Sequence, residues 1–314
     1  MRFQQLRYLS EIARRDLNVS AAAEALHTSQ PGVSRQVKEL EDELGVEIFV
    51  RHGKRLTALT EPGRAVLTIA ERILAEAANL KRAGEEFANE KLGSLTIATT
   101  HTQARYALPK AVAAFKRKYP DVQLVIHQGN PTQICEMVLR GEAEFAIATE
   151  QIAEYPELVS LPCYQWNRCV VMPARHPLAR VKPLTLEAVA KYPIVTYDFA
   201  FANRSLVEKA FEQRGLAPKV VLTALDADVI KTYVELGLGI GIMAAMAFNA
   251  RRDVGLKALD ASHLFESSTT RLGIKRGAYL RRYAYEFIEM FVPHLPRSIV
   301  EPAVTGAQGS TYEL

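Results

Sequence analysis

The chain lacks most of the parts that enzymes, metalloproteins and exported proteins need. Its 314 residues include three cysteines, Cys135, Cys163 and Cys169, and none forms a CxxC pair. That spacing excludes zinc ribbons and thioredoxin-like motifs. Cys163 and Cys169 are a candidate redox pair, set against the plainer reading of buried free thiols in a reducing cytosol. No apolar run reaches the ~20 residues that span a bilayer. Arg2 and Arg7 are followed by an amphipathic pattern, which is not the pattern of a signal peptide. A cytoplasmic protein with no membrane partner is expected. There is no G-x-S-x-G, no Walker loop and no His pair at metal spacing, so no catalytic residue, metal or cofactor is assigned. GLGIGI from Gly237 leads into a strand and reads as a tight turn, not a dinucleotide loop. His101 as a general base lacks a nucleophile and an orienting carboxylate.

What is present is ordinary in bulk. The apolar fraction is 48%, enough for real cores, and the net charge is +4. Residues 1–60 carry nine basic and eight acidic side chains, so any nucleic-acid contact there needs a positive face, not a positive total. Glu39, Glu41, Asp42 and Glu43 are expected to lie away from the basic residues near 51–55. Phe3, Leu6, Leu9 and Ile12 recur at about helical spacing and predict an opening helix packed under the next two helices.

The informative stretch runs from Asn18 to Glu41. Asn18 or Ser20 is placed to cap a thin, alanine-rich helix ending near Leu26. His27 and Thr28 make a turn. Ser29 caps a second helix, with Pro31 in its first turn, where a missing N–H costs nothing. Val33, Val37 and Leu40 share one buried stripe, so Gln30, Ser34, Arg35 and Lys38 face outward. Such a face suits a DNA major groove: Gln pairs with adenine edges, Arg with guanine edges, Ser with bases or phosphates. Helix pairs of this kind also occur in plain bundles. The next segment decides between them. VRHGKRLTALTEPG predicts a β-hairpin wing around His52–Gly53–Lys54, carrying Arg51, Lys54 and Arg55 toward phosphates.

These residues resemble the LysR-type transcriptional regulators, over essentially the whole chain, through AAEALHTSQPGVSRQVKELEDELGVEIFVR. The block SLTIATTHTQARYALP, with HQGNPTQ, EFAIATE, LPCYQWNRC and DADVIKTYVELGLGIGI, is similar to the CysB and Cbl branch, which regulates sulfur assimilation. The resemblance implies a winged helix-turn-helix domain rich in α-helix over 1–60. A linker helix for dimerisation would follow over 61–90, then a two-lobed α/β effector domain over 91–296, like periplasmic binding proteins. Lobe I would comprise about 94–162 and 266–292, and lobe II about 167–264. DNA contacts would come from Ser20, Thr28, Ser29, Gln30, Pro31, Ser34, Arg35, Lys38, Arg51 and Lys54. The implied partners are promoter DNA, a small anion of the sulfate, thiosulfate, sulfonate or acetylserine class, further copies of the chain as a dimer or tetramer, and RNA polymerase.

The residues themselves support much of this. Thr60 caps a helix with Pro62 in its first turn, and Val66, Ala70, Ile73, Ala77, Leu80, Gly84 and Phe87 form a heptad seam. One helix packed on its own domain is the plain reading; a seam this long favours a partner copy. From Ser94 strands and helices alternate, the α/β signature. Strands are expected at 94–99, 122–127, 145–148, 168–172, 194–197, 220–223, 240–243 and 270–275. One helix is expected to run from Thr102 or Gln103 to about Tyr119. The tail, 297–314, is small and polar and is expected to be poorly ordered.

Thr99, Thr100, His101, Thr102 and Gln103 fall where a strand gives way to a helix. Such junctions collect ligands, and helix starts favour anions. Hydroxyls and an amide add neutral donors, so a small oxyanion or carboxylate is the expected ligand, with Thr149 joining after the 145–148 strand. The branch's ligand residues carry over to Thr100, Thr102, Gln103 and Thr149. The alternative is that the threonines merely cap and finish their elements. One departure stands out. The branch carries threonine in a FGFTGRS-type segment, and here FAFANRS places Ala202 there, with Asn203 beside it. A regulator of another pathway, a solute-binding protein and an enzyme on the α/β half are the alternatives. The last two leave residues 1–90 without a role.

Overall fold

The computed structural model describes residues 1–53, 55–88, 92–198 and 202–306, with backbone alone at 85, 86, 88 and 202–205. They fall into two units, Met1–Ala88 and Asn89–Leu314. In the first, α1 (Phe3–Arg14) buries Leu6, Leu9 and Ile12. Phe3, expected beside them, is 58% exposed. Steps of three drift by ~60° on a 3.6-residue helix, which turns Phe3 out of the stripe centred on Leu9. Then come α2 (Val19–Ala25) and α3 (Gln30–Leu44). Asn18 Oδ1 accepts from Ala21 N at 3.0 Å and Ser29 Oγ from Gly32 N at 3.3 Å, so each helix starts at a side-chain cap. The wing is β1 (Phe49–His52) paired antiparallel with β2 (Arg55–Leu59). Gly53 turns it at φ 61°.

The helix α4 (Glu61–Ala88) starts where Thr60 Oγ1 accepts from Gly63 N at 2.8 Å. Gly63 presses on the wing: a Cβ there would lie 2.0 Å from the Ile48 carbonyl oxygen, so only glycine fits. The seam divides. Val66, Ala70 and Ile73 pack into the core of α1–α3, the plain reading of this half. Further along, Leu80 and Phe87 are 77% and 87% exposed. A 3.5-residue repeat does not say whose surface it covers, and α1 covers its first turns.

The charges of this unit are less separate than expected. Glu41 does not lie apart from the wing: its carboxylate is buried against it. Oε1 accepts from the amides of Ile48 (2.9 Å) and Phe49 (3.3 Å), and Arg51 Nη2 reaches Oε2 at 2.6 Å. Burial alone would raise the carboxyl's pKa. The Arg51 guanidinium and the two amides outweigh it and hold it below the usual carboxylate range.

The second unit holds two five-stranded sheets. Lobe I contains β3 (Gly93–Thr99), a π-helical turn at Gln103–Ala107, α5 (Pro109–Lys118), β4 (Val122–Gln128), α6 (Pro131–Leu139), β5 (Phe145–Ala148) and β6 (Leu158–Trp166). Lobe II follows with β7 (Arg168–Pro173), α7 (Leu186–Val189), β8 (Ile194–Tyr197), α8 (Ala202–Glu212), β9 (Val220–Ala224), α9 (Ala227–Glu235), β10 (Ile240–Ala244) and β11 (Leu256–Asp260). The chain returns to lobe I as β12 (Ser268–Lys275), α10 (Arg282–Phe291) and α11 (Arg297–Thr305). The sheet orders are β4-β3-β5-β12-β6 and β11-β7-β10-β8-β9. In each, the central strands run parallel and one strand next to a lobe crossing, β12 in lobe I and β7 in lobe II, runs antiparallel to them. β5 and β8 are buried along their full length, as strands covered on both faces must be.

Three expectations are corrected. The tail is not poorly ordered through 305: α11 buries Val300, Ala303 and Val304 in the lobe I core, and three apolar residues on one face outweigh a polar composition. Residues 307–314 lie outside the described ones. The helix after β3 is not continuous to Tyr119; it opens at His101, widens into the π turn and restarts at Pro109, which cannot donate to the preceding turn. Two strands, β6 and β11, were not expected. Their partners β12 and β7 are far along the chain, and Pro162 and Asp260 obscure the local strand pattern.

Replacing Arg51 by alanine leaves the Glu41 carboxylate buried without its cation. Arg51→Ala is expected to destabilise the first unit by on the order of 2 kcal/mol. That is below the ~3–5 kcal/mol of a fully buried pair, because Arg51 stays about a third exposed. Because the folded carboxyl titrates below its unfolded value, this stabilisation is present at neutral pH and is lost as pH falls through the folded value. Urea melts of wild type and Glu41→Gln should converge in acid and separate near pH 7.

Candidate DNA-reading face and effector cleft

The exposed face of α3 carries the residues expected there. Ser20, Thr28, Ser29, Gln30, Pro31, Ser34, Arg35 and Lys38 are all exposed, while Val33, Val37 and Leu40 are buried beneath them. Gln30 Nε2 bonds Ser34 Oγ at 3.1 Å; Arg35 and Lys38 pair with Glu39 and Asp42 at 3.6 and 3.9 Å. Exposed i, i+4 pairs are worth a few tenths of a kcal/mol, so these side chains are held only weakly. Arg51 differs: its guanidinium is already braced on Glu41. Lys54 lies outside the described residues.

In the second unit, Thr99 Oγ1 ties the end of β3 to the Ile147 carbonyl at 2.8 Å. Ala104 N–H returns to the Thr100 carbonyl at 3.0 Å, the first bond of the helix. The amides of His101, Thr102 and Gln103 precede it, where a helix has donors without an intrahelical acceptor. Thr100 and Thr149 are 8% and 5% exposed, and among the described residues neither hydroxyl makes a hydrogen bond. Capping therefore does not account for them. Gln103 is 2% exposed and committed elsewhere: its Nε2 donates to Thr270 Oγ1 at 3.0 Å and its Oε1 accepts from the Tyr164 hydroxyl. Thr102 shares a hydrogen bond with Tyr197, a fully buried phenol pushed up to about 12 by burial. The side chains of Ala202 and Asn203 lie outside the described residues.

Around this turn lie groups that the sequence did not reveal. Tyr106 hydroxyl donates to Asp228 Oδ1 at 2.7 Å, Lys231 Nζ reaches that hydroxyl at 3.1 Å, and Arg105 Nε pairs with Asp228 Oδ2 at 2.8 Å. Arg168, 2% exposed, donates to the Glu266 carbonyl (2.6 Å) and Ser268 Oγ (2.8 Å) where the chain crosses between lobes. His101, Asp226 and Asp228 come within reach of one another, but Arg105 and Lys231 already compensate Asp228. The group is an ion-pair network, not an argument for a cation. Cys135, Cys163 and Cys169 are free and buried, and burial pushes each thiol up to about 12. Cys163 lies in the lobe I core and Cys169 in that of lobe II, against the redox pairing. Among the described residues, no helix is long and apolar enough to cross a membrane.

Residues 88–296 match the LysR substrate binding domain family and residues 3–64 the bacterial regulatory helix-turn-helix protein family of lysR type. The chain is 56% identical over 314 residues to the HTH-type transcriptional regulator CysB of Burkholderia cenocepacia, covering 100% of both. It is 57% identical over 295 residues to SsuR of the same organism, covering 94% of this chain and 96% of that one. The crystal structure of the cofactor-binding domain of the Cbl transcriptional regulator superposes with a TM-score of 0.66 at 42% identity, over 69% of this chain and 95% of that one.

The high thiol pKa values and burial have a direct consequence, because the thiolate is the reactive form. The native chain at pH 7–8 should show no rapid titration by a thiol reagent such as Ellman's, and all three thiols should react on unfolding. A fast-reacting native thiol would contradict the placement.

Proposed function

The chain belongs to the LysR family of bacterial helix-turn-helix regulators, and from that premise we propose how this regulator of sulfur genes works: α3 reads DNA and a small anion between the lobes sets the response. It is a regulator and not an enzyme. The observation that carries the DNA half is the outward row Gln30, Ser34, Arg35 and Lys38, each exposed and only weakly held. Ser20, Thr28, Ser29 and Pro31 position the helix start, and the wing adds phosphate contacts through Arg51 and Lys54. The observation that carries the ligand half is the pair of hydroxyls, Thr100 and Thr149, that have no hydrogen-bond partner among the described residues and lie beside a helix start. Thr102, whose hydroxyl is held by Tyr197, adds its backbone N–H, and Gln103 acts chiefly by fixing the turn.

The effector belongs to the sulfate, thiosulfate, sulfonate or acetylserine class, and Ala202 withholds a hydroxyl, which favours a larger ligand than sulfate. Exposed apolar surface supports self-association into a dimer or tetramer. Leu80 and Phe87 lie on α4; Val221, Leu225, Val229 and Leu236 lie on and around β9 and α9. A two-fold protein matches a palindromic operator, from which it acts on RNA polymerase in the cytoplasm.

Gln30→Ala and Arg35→Ala should each weaken specific operator binding by about 1–3 kcal/mol, the scale of a lost base contact. Fluorescence anisotropy at fixed salt, on operator and random duplexes, checks this; equal losses on both would remove the base-reading role. Thr100→Ala deletes a donor to a charged ligand, worth about 1.5–3 kcal/mol. By calorimetry with sulfate, thiosulfate and acetylserine, affinity should fall roughly ten- to a hundredfold. Binding that ignores Thr100→Ala would move the ligand elsewhere.

A further inference from the structure

The lobe I turn reaches across to lobe II through Thr102, Arg105 and Tyr106, and Tyr106 packs against the lobe II core. Tyr106 sits on the π turn, and its ring packs against the lobe II cluster that contains Val171, Ala227, Ile230 and Val234. Its hydroxyl meets a pair prepared by lobe II alone. Lys231, 9% exposed, is held by Asp253 Oδ1 and the Ala247 carbonyl at 3.1 Å each, and lies 3.2 Å from Asp228. Into that pair the phenol donates at 2.7 Å to Asp228 and accepts at 3.1 Å from Lys231. Arg105, its neighbour on the turn, closes on the other Asp228 oxygen at 2.8 Å. The carboxylate is held below its usual range and the ammonium above it, although burial opposes both. Hydrogen bonds to ionised partners are about twice as strong as neutral ones, and partial burial strengthens them further.

We propose that Tyr106 is an interlobe latch, its hydroxyl joining the turn that starts at Thr100 to the Asp228–Lys231 pair and so fixing the spacing of the lobes. The geometry of the turn makes the latch responsive. Gln103 anchors its buried side to Thr270 and Tyr164 within lobe I, and Tyr106 leaves the same turn toward lobe II. A ligand that displaces the turn therefore moves the phenol against a fixed ammonium–carboxylate pair. The latch itself concerns the lobes alone, whatever the threonines bind.

The test is an inter-lobe distance measured in the full chain. Glu142→Cys in lobe I and Glu212→Cys in lobe II are exposed sites for spin labels, while the native thiols are buried. Labelled chain is diluted with unlabelled chain so that only distances within one copy are read by double electron–electron resonance. Wild type should give one narrow distribution. Tyr106→Phe keeps the ring and removes the hydroxyl; Asp228→Asn keeps the volume and removes the charge. Each should broaden the distribution toward longer distance, and the double variant should go no further than the larger single one. Circular dichroism confirms that each variant is folded. A distribution that superposes on wild type in either single variant, or broadening that adds in the double, would overturn the latch.

Discussion

The effector domain depends on a closed amide. Gln103 has its oxygen taken by Tyr164 and its nitrogen by Thr270, inside lobe I and out of water. An amide so placed costs about 1–3 kcal/mol if either bond is lost, so free sliding of the turn is opposed by that amount. The proposed ligand residues and the latch adjoin that fixed point. Thr100 and Thr102 precede it on the strand-to-helix junction, and Tyr106 follows it on the widened turn. The extra residue of a π turn offsets the side chains after it from those before it. Gln103 thus faces its own lobe while Tyr106 faces the other.

Each unit also contains an ionic knot where distant segments meet. In the first, Glu41 joins α3 to the wing, so the helix proposed to face DNA and the hairpin beside it are braced by a single carboxylate. In the second, Lys231 joins α9, the segment after β10 and the lobe I turn. Buried charge is weak evidence for net stability, because desolvation offsets much of the attraction. Its value is in geometry: a charge with several fixed partners tolerates one arrangement and penalises others.

The extent to which the sequence was legible depends on range. Caps, the helix pair and the hairpin are local, and Asn18, Ser29 and Gly53 announced them within a few residues. The threonine junction was legible for the same reason, since a strand ending in hydroxyls before a helix is a local pattern. Glu41 and Arg51 were both visible as charges, but no periodicity says that a chain reversal will bring them together. Tyr106 and Asp228 are farther apart still, and the lobe crossing at Trp166–Arg168 and Asp260–Ser268 is what joins them. Gln103 was placed at the cleft but not tied to Tyr164 and Thr270. The heptad seam shows the opposite limit: its period was plain, and its partner over Val66–Ile73 was α1 of the same unit.

We propose that a sulfur-linked anion, sensed in one unit, changes what the other does on DNA. Genome-wide mapping of the chain's binding sites, in cells grown with and without sulfate, tests it most directly. Sites are expected upstream of sulfur-acquisition genes, sharing a dyad-symmetric sequence, with occupancy or footprint length that changes with sulfate supply. Sites unrelated to sulfur genes, or a binding pattern identical in both media, would contradict it.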